Sequence, residues 1–289
     1  MKLKIGAQGY RLKRSLPQCS VCRKACEKGV LTLLNKNFCS KRCMYKVMRC
    51  ALCRKGLNQV VVWKLPNGRQ IKTCKDCADN PKCYYCGVPS ASSPLPDGRR
   101  HCRKCRQTAV KDHQNITALF QKVRNDLALW YGFDKTHKIE LKIVDLSEME
   151  ETSNGVYLPD GGKRLALMRY FPPVMADSNG DGKADKIIRR EKCQIFVMAH
   201  TPKDVLLDTF AHELTHDHLR HNVGQVKDLA REEGFCELVA SLYNIRIKQA
   251  HLNKAKELHK DPVYGEGFRK MRDIYRKNKS LKETMKQLR

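Results

Sequence analysis

No run in this chain approaches the roughly eighteen consecutive apolar residues of a membrane helix, and the opening Met1-Lys2-Leu3-Lys4 lacks the apolar core of a secretion signal. A helical membrane span is thereby excluded, and a cytoplasmic location is expected. There is no low-complexity tract and no internal repeat apart from a recurring cysteine pattern, so a solenoid is excluded as well. Acidic residues are also scarce: 30 Asp and Glu stand against 57 Lys and Arg, a formal charge of +27. That count treats cysteine as neutral, whereas four thiolates around a zinc ion carry about −2, so three such sites would remove about six charges. The remaining excess favours nucleic acid or an acidic protein partner. It is spread over the N-terminal arm, the cysteine-rich region and the C-terminal helices, which describes a diffuse field and not a single patch.

Cysteine is abundant. Thirteen of 15 lie between residues 19 and 105, most in C-x-x-C pairs, the spacing of metal sites in a reducing compartment. They resolve into three sets of four: Cys19, Cys22, Cys39 and Cys43; Cys50, Cys53, Cys74 and Cys77; Cys83, Cys86, Cys102 and Cys105. In each, two ligand pairs are separated by a short hairpin's length, as tetrahedral structural zinc requires. Such small modules bury too little apolar surface to fold alone, so bound metal contributes directly to their stability. Cys26 leaves the first set ambiguous, because it could replace a neighbour as ligand. Redox C-x-x-C pairs are the rival reading, disfavoured by the lack of any βαβ pattern around them.

The second constellation is His212-Glu213-Leu214-Thr215-His216, followed after a sixteen-residue gap by Glu233. On a helix, positions i and i+4 share a face, so His212 and His216 can close on one metal with Glu213 beside it. Glu233 supplies a third ligand, and three protein ligands leave the fourth corner of a zinc ion open for water. Zinc acidifies that water and a neighbouring carboxylate can take its proton, which is hydrolytic chemistry. Glu233 and Glu237 are themselves i and i+4, so Glu237 is a candidate to fix a ligand histidine through its other ring nitrogen. Glu232 could exchange roles with Glu233, and both carboxylates could instead be plain helical surface groups. His218 and His221 read as exposed or capping positions, Asp217 as an exposed helix position that could instead orient a ligand histidine, and Cys193 and Cys236 as buried thiols.

At 289 residues the chain accommodates one substantial domain and smaller modules. The divisions expected are a basic arm over 1–18, a four-cysteine zinc module over 19–48, a LIM-like double module over 49–107 and a catalytic domain over 108–289. Within the last, the periodicity predicts a helix from Thr108 to Tyr131 with Ile116, Leu119, Phe120, Val123, Leu127 and Trp130 on one side, then a strand over Ile139 to Leu146. A hairpin is expected from Gly155–Leu158 and Leu165–Tyr170 around Pro159-Asp160-Gly161-Gly162, and another strand from Gln194 to Ala199. Thr201 reads as the N-cap of the motif helix, with Pro202 in its first turn and Asp204 in capping-box position. A second helix is predicted from Asp228 to about Gln249, and basic amphipathic helices from Arg246 to Arg289. The order is that of an α+β, zincin-like domain of gluzincin type behind small treble-clef or LIM-like zinc modules. Asp177, Asn179, Asp181 and Asp185, with Gly182 between them, match a calcium loop, but Ile188 stands where its bidentate Glu belongs, so the site is weak at best or a plain polar turn.

The chain also resembles the plant LIM-domain metallopeptidases that restrain organ growth, the DA-one-like family, over roughly residues 45 to 289. The resemblance is carried by the motif helix with its gap to Glu232-Glu233-Gly234-Phe235-Cys236. It extends to Cys83-x-x-Cys86 through Asp97-Gly98-Arg99-Arg100-His101-Cys102-x-x-Cys105, and to Tyr264-Gly265-Glu266-Gly267-Phe268-Arg269. It implies an intracellular zinc endopeptidase acting on folded or regulatory proteins, with His212, His216 and Glu233 as ligands, Glu213 as base and LIM-like modules for recognition or restraint. The family is tied to ubiquitin in plants. No ubiquitin-interacting helix precedes the zinc modules in this sequence, the spacer from Cys77 to Cys83 is long for a LIM domain, and the first quartet and the Asp177 loop have no counterpart, departures that a prokaryotic relative would accommodate.

Two functional expectations follow. The first is an intracellular zinc peptidase in which Glu213 moves the proton, Tyr264 stabilises the oxyanion and the strand Ile195–Ala199 pairs with an extended substrate. The second is a zinc-finger regulator that binds nucleic acid or protein and whose peptidase-like half is silent. About four zinc ions per chain are expected, three structural and one catalytic.

Overall fold

The computed structural model describes residues 16–27, 29–153, 165–176 and 186–289. The expected calcium loop and the first arm of the 155–170 hairpin lie outside these residues. The protein is mixed α+β, and none of its described helices is long and apolar enough to cross a membrane. Two compact units emerge: residues 1–63 and 71–79, with the first two cysteine sets, form one, and residues 64–70 and 80–289, with the third, form the other.

The first unit is built on two repeats of one turn. In each, the first cysteine's N–H and C=O are both used locally: Cys19 N donates to Lys24 O and Arg23 N to Cys19 O, and Cys50 and Arg54 do the same with Lys55 and Cys50. Arg23 and Arg54 take left-handed φ values of 59° and 65°, a conformation unfavourable for a residue with a Cβ. The turn that bends the cysteine pair around one centre demands it. Strands β1 (Leu31–Leu33) and β2 (Lys36–Phe38) form the first hairpin and α1 (Lys41–Val47) follows, its N-cap Ser40 accepting from Cys43 N at 3.3 Å. Strands β3 (Val61–Lys64) and β4 (Gln70–Thr73) pair in a second hairpin that leads into α2 (Lys75–Ala78). Phe38, Met44, Met48 and Leu57 form a small apolar cluster with Cys19, Cys26 and Cys50.

In the second unit the same turn recurs at Cys83, with Gly87 at φ 69° in the left-handed position. Helix α3 (Arg103–Thr108) ends in the short strand β5 (Ala109–Val110), and α4 (His113–Tyr131) begins beyond it. The helix expected from Thr108 is thus interrupted, because Asp112 caps α4 by accepting from Asn115 N at 2.7 Å and residues 109–110 are extended. Gly132, at φ 71°, closes α4 in the left-handed conformation that terminates a helix.

A three-stranded sheet follows, in the order β6 (Ile139–Val144), β10 (Lys192–Met198), β7 (Ala166–Phe171), with β10 parallel to β6 and antiparallel to β7. Val144 ends β6, since Leu146 already belongs to α5 (Leu146–Ser153). Strands β8 (Val174–Ala176) and β9 (Lys186–Arg189) pair with each other between β7 and β10. β10 is therefore central, with both edges occupied, and the expectation that Ile195–Ala199 pairs with substrate fails. β6 and β7 are the two edge strands, and no described strand occupies the outer edge of either.

Strand β11 (Thr201–Pro202) pairs with β5 and leads into α6 (Lys203–Asn222), which carries both histidines of the motif. Thr201 does not cap this helix. Its backbone is in the ladder with Val110 and its hydroxyl donates to Met198 O at 2.7 Å, so Pro202 occupies the cap position. Helix α7 (Leu229–Arg246) starts at Asp228, whose carboxylate accepts from Arg231 N, and ends three residues short of the Gln249 expected. A 3-10 turn (Ala250–Leu252), α8 (Asn253–Leu258), a π turn (Pro262–Glu266), α9 (Gly267–Asn278) and α10 (Leu281–Lys286) complete the chain.

Helices α4, α6 and α7 bury Ile116, Phe120, Leu127, Leu206, Phe210, Phe235, Val239 and Tyr243 against Ile195 and Val197 of β10. Each large side chain buried this way contributes about 1.5–3 kcal/mol. Phe120 meets Phe210 edge to face at 5.3 Å, a preferred aromatic geometry. α5 covers the other side of the sheet through Met149, which packs with Met198 and Phe196. α9 buries Phe268 and Met271 and exposes Lys270, Arg276 and Lys277, an amphipathic arrangement. It crosses α7 at a glycine pair: a Cβ on Gly234 would overlap the Gly267 carbonyl group, and one on Gly267 would overlap Ala230 O.

Candidate metal centre

His212 and His216 leave α6 one turn apart with their Nε2 atoms 3.2 Å from each other. Glu233 on α7 brings Oε2 to 3.1 Å from His212 Nε2 and 3.4 Å from His216 Nε2. Donors about 2.0–2.1 Å from a tetrahedral zinc ion lie about 3.3 Å from one another, so these three atoms stand where three corners of a coordination sphere would. Glu233 Oε2 is buried and makes no hydrogen bond of acceptable geometry. A cation between the three donors would satisfy that oxygen.

The choice between the neighbouring glutamates is decided by helix rotation. Glu232 turns to the outer nitrogen of His216, with Oε1 3.0 Å from Nδ1, and Glu237 turns to that of His212, with Oε1 3.3 Å from Nδ1. Each imidazole thus has a carboxylate near the ring nitrogen that faces away from the centre; for His216 the contact has hydrogen-bond geometry, which fixes the tautomer and aims the ring, whereas His212 Nδ1 has the carboxylate close by without that geometry. Glu237 is held in turn by Lys256 of α8, which also reaches Asp208 Oδ1 at 3.0 Å, and Asp208 accepts from Asn244 at 2.6 Å. Lys256 and Asp208 were missed in the sequence because nothing in a lone lysine of a basic tail distinguishes it from its exposed neighbours.

Electrostatics point the same way. Burial alone would lower both imidazoles, but Glu233 and Glu237 around His212, and Cys236, Glu233 and Glu232 around His216, outweigh it and raise both above the ordinary histidine range. Burial would raise Glu233, yet the two imidazoles hold its carboxyl well below the usual range. The centre favours positive charge, which a metal ion or protons can supply. Glu213 differs: burial raises its carboxyl against the pull of the two histidines, and the Met168 backbone on β7 hydrogen-bonds to it. A carboxylate raised in this way is a competent proton carrier.

The centre opens into a cleft of about 480 Å³ lined by β7 residues Ala166, Leu167 and Met168, by α6 and α7, and by His259 and Tyr264. Tyr264 lies in the π turn anchored by Asp261, which accepts from the N–H groups of Val263 and Tyr264. His259 borders the same cleft with its ring 6.5 Å from that of Tyr264, and no motif in the sequence pointed to it.

The cysteine sets assemble as expected from their spacing, each with four sulfurs close enough to share an ion, and none of the cysteines forms a disulfide. Sulfur separations of 3.5 Å (Cys22–Cys39), 3.7 Å (Cys39–Cys43), 3.8 Å (Cys53–Cys74) and 3.6 Å (Cys86–Cys102) are set against the tetrahedral zinc edge of about 3.8 Å. The Cys22 backbone N–H aimed at Cys19 draws that thiol down to about 6. Cys26 stays out of the group and packs in the apolar cluster, where burial pushes its thiol up.

Three readings of α6 need correction. Asp217 is buried, not an exposed helix position, and it faces His137 and His221 and no ligand histidine. His218 stacks flat on Phe133 at 3.9 Å, and burial pushes it down to about 4. His221 stacks on His137 at 3.5 Å. The physical reason is that the segment after α4 folds over the far face of α6, covering a stripe that helical periodicity alone assigns to solvent. Cys193 and Cys236 are buried, the latter beside His216. The calcium candidates Asp177, Asn179, Asp181 and Asp185 fall outside the described residues. Comparison of the chain with protein-family models, with curated proteins and with solved structures finds no match in any of the three.

Proposed function

We propose that this protein is a zinc-dependent endopeptidase with a zincin-like domain of gluzincin type. The observation that carries the reading is the convergence of His212, His216 and Glu233, with Glu213 buried beside them in an open cleft. Those three side chains would hold the ion, which when bound supplies Lewis-acid polarisation of a carbonyl and an acidified water. Glu213 takes the proton from the attacking water and returns it to the departing amine nitrogen. β7 lines the cleft and is an edge strand, so an extended peptide can lie along it by main-chain hydrogen bonds with its scissile bond near Glu213. Tyr264, on the cleft wall with His259 beside it, is the candidate donor toward a developing oxyanion. The zinc modules of the first unit serve recognition of a protein or nucleic acid with acidic character, or restraint of the peptidase.

The decisive experiment compares the native chain with Glu213→Gln on a denatured protein substrate while zinc is counted. Cleavage is expected to fall by about 10²–10⁴-fold with zinc content unchanged. Equal inertness of both proteins toward every substrate would instead support the zinc-finger regulator with a silent peptidase half. A steep fall of DNA affinity with salt would then identify nucleic acid as its partner.

A further inference from the structure

We infer that His137, Asp217 and His221 form a second divalent-metal site of nitrogen and oxygen ligands, separate from the candidate catalytic centre and from the cysteine sets. The three side chains come from two parts of the fold. Asp217 and His221 are one turn apart on α6, and His137 lies in the segment between α4 and β6. All three offer ligand atoms within 4.8 Å of one another, and their side chains are only 18%, 5% and 15% exposed in the order His137, Asp217, His221.

Each histidine has one ring nitrogen engaged and the other directed to a carboxylate. His221 Nδ1 lies 2.8 Å from the Asp217 carbonyl oxygen, so it carries the proton, donates there and leaves Nε2 bare, 3.7 Å from Glu191 Oε1. His137 Nε2 lies 3.5 Å from Asp134 Oδ2, and its Nδ1 lies 3.4 Å from Asp217 Oδ2. A backbone carbonyl or carboxylate on the outer nitrogen is the usual support of a metal-ligating histidine. Independently, Asp217 Oδ1 is buried with no hydrogen bond of acceptable geometry, His221 Nδ1 lying 3.5 Å away, and a buried acceptor left in this state favours a cation beside it. The supporting groups are built in: Arg124 donates to the carbonyls of Lys135 and His137 and fixes that segment, and Tyr170 donates to Glu191 Oε2 at 2.9 Å. The buried thiol of Cys193 also faces Asp217.

The ligand set is two imidazoles and a carboxylate, with Glu191 Oε1 at its rim, 3.7 Å from His221 Nε2. It suits a divalent first-row ion of borderline softness, zinc first. The rings, stacked 3.5 Å apart and 18° from parallel, must turn about their terminal torsions for both lone pairs to converge on the ion. Such an ion would pin the C-terminal half of α6 to the segment that precedes the sheet, one helical turn beyond His216.

The test is zinc counting on the full chain loaded with zinc and desalted. Five ions per chain are expected: three in the cysteine sets, one at His212, His216 and Glu233, and one here. His137→Gln and His221→Gln should each lower the count by one, His212→Gln should do so with loss of cleavage, and His212→Gln/His221→Gln should retain three. Zinc-edge anomalous scattering from crystals of the native chain should show a peak among His137, Asp217 and His221, a measurement that does not depend on how the variants fold. Four ions in the native chain with no loss in His137→Gln and His221→Gln, or no anomalous peak at that position, would overturn the site. The outcome stays distinct from the fate of the peptidase reading, which Glu213→Gln addresses.

Discussion

His212 has two ring nitrogens, and the outer one is where the grip of the centre is set. Glu237 lies 3.3 Å from it, Lys256 holds Glu237, and Asp208 shares the lysine, so three charged side chains from three helices are linked behind one imidazole. Glu237→Ala frees that ring and leaves Lys256 with half its counter-charge. Zinc affinity at the centre should fall by about 10–100-fold, measured by competition with a chelator of known affinity, while the cysteine sets keep their ions. Unchanged affinity would mean that the outer carboxylate does not orient the ligand. At this scale His212, Glu213 and His216 were legible because helical spacing alone puts them together. Glu233 was legible only as one of two neighbours, since adjacent residues on a helix point about 100° apart and the sequence does not state how α7 is rotated against α6. His137 and Lys256 could not be found this way. They reach their partners across 80 and 19 residues of chain, and neither stands in a spacing that chemistry requires.

The elements that present these residues depend on a junction just upstream of α6. Arg99 of the third cysteine module is buried, pairs with Asp97 at 2.6 Å, and donates to Tyr85 Oη at 2.7 Å and to the Ala199 carbonyl at 2.8 Å. Tyr85 in turn meets the Thr201 hydroxyl at 3.0 Å, and β5 pairs with β11 alongside. The module is thus fastened to the strand that launches the motif helix. Burial works to raise the Asp97 carboxyl, but the Arg99 guanidinium and backbone N–H outweigh it and hold it below the ordinary range. A carboxyl depressed in the folded state stabilises above its unfolded pKa of about 3.9 and loses that contribution as pH falls through the lower folded value. Asp97→Ala should cost about 3–5 kcal/mol at neutral pH, because the guanidinium is left buried without its counter-charge. Denaturant melts should show that difference narrowing below about pH 4, and a difference independent of pH would refute the ion pair's role. The sequence displayed the cysteines of this module but not its attachment. The reason Thr201 misled as a helix cap is the same: its hydroxyl was already committed to Met198 O.

The two compact units have unequal means of support. The larger has a core drawn from three helices and a sheet, whereas the smaller has little beyond Phe38, Met44, Met48 and Leu57 around its sulfurs. Bound metal would supply what burial does not, since folding and ligation are coupled in modules of this size. A strong chelator at neutral pH should therefore expose all nine cysteines of the first unit to a thiol reagent within the time that Cys193 and Cys236, which belong to none of the candidate metal groups and are buried in the larger unit, stay unreactive. Slow and equal reaction of all cysteines would show that the smaller unit holds together without ions. The charge of the whole molecule was legible from composition, as was the presence of the modules. Which module belongs to which body was not, because that depends on tertiary contacts such as the Arg99 junction, which no spacing encodes.

The glycine crossing of α7 and α9 has a consequence for the last stretch of the chain. Gly234 directly follows Glu233, and the approach of Gly267 to its Cα leaves no room for a methyl group between the two backbones. The tail carries no ligand, yet it is the wedge against which the third donor is seated. A single proteolytic nick after Glu266 should therefore loosen Glu233 and weaken the hold of the candidate centre on added zinc, from a distance and without altering any of its three donor side chains.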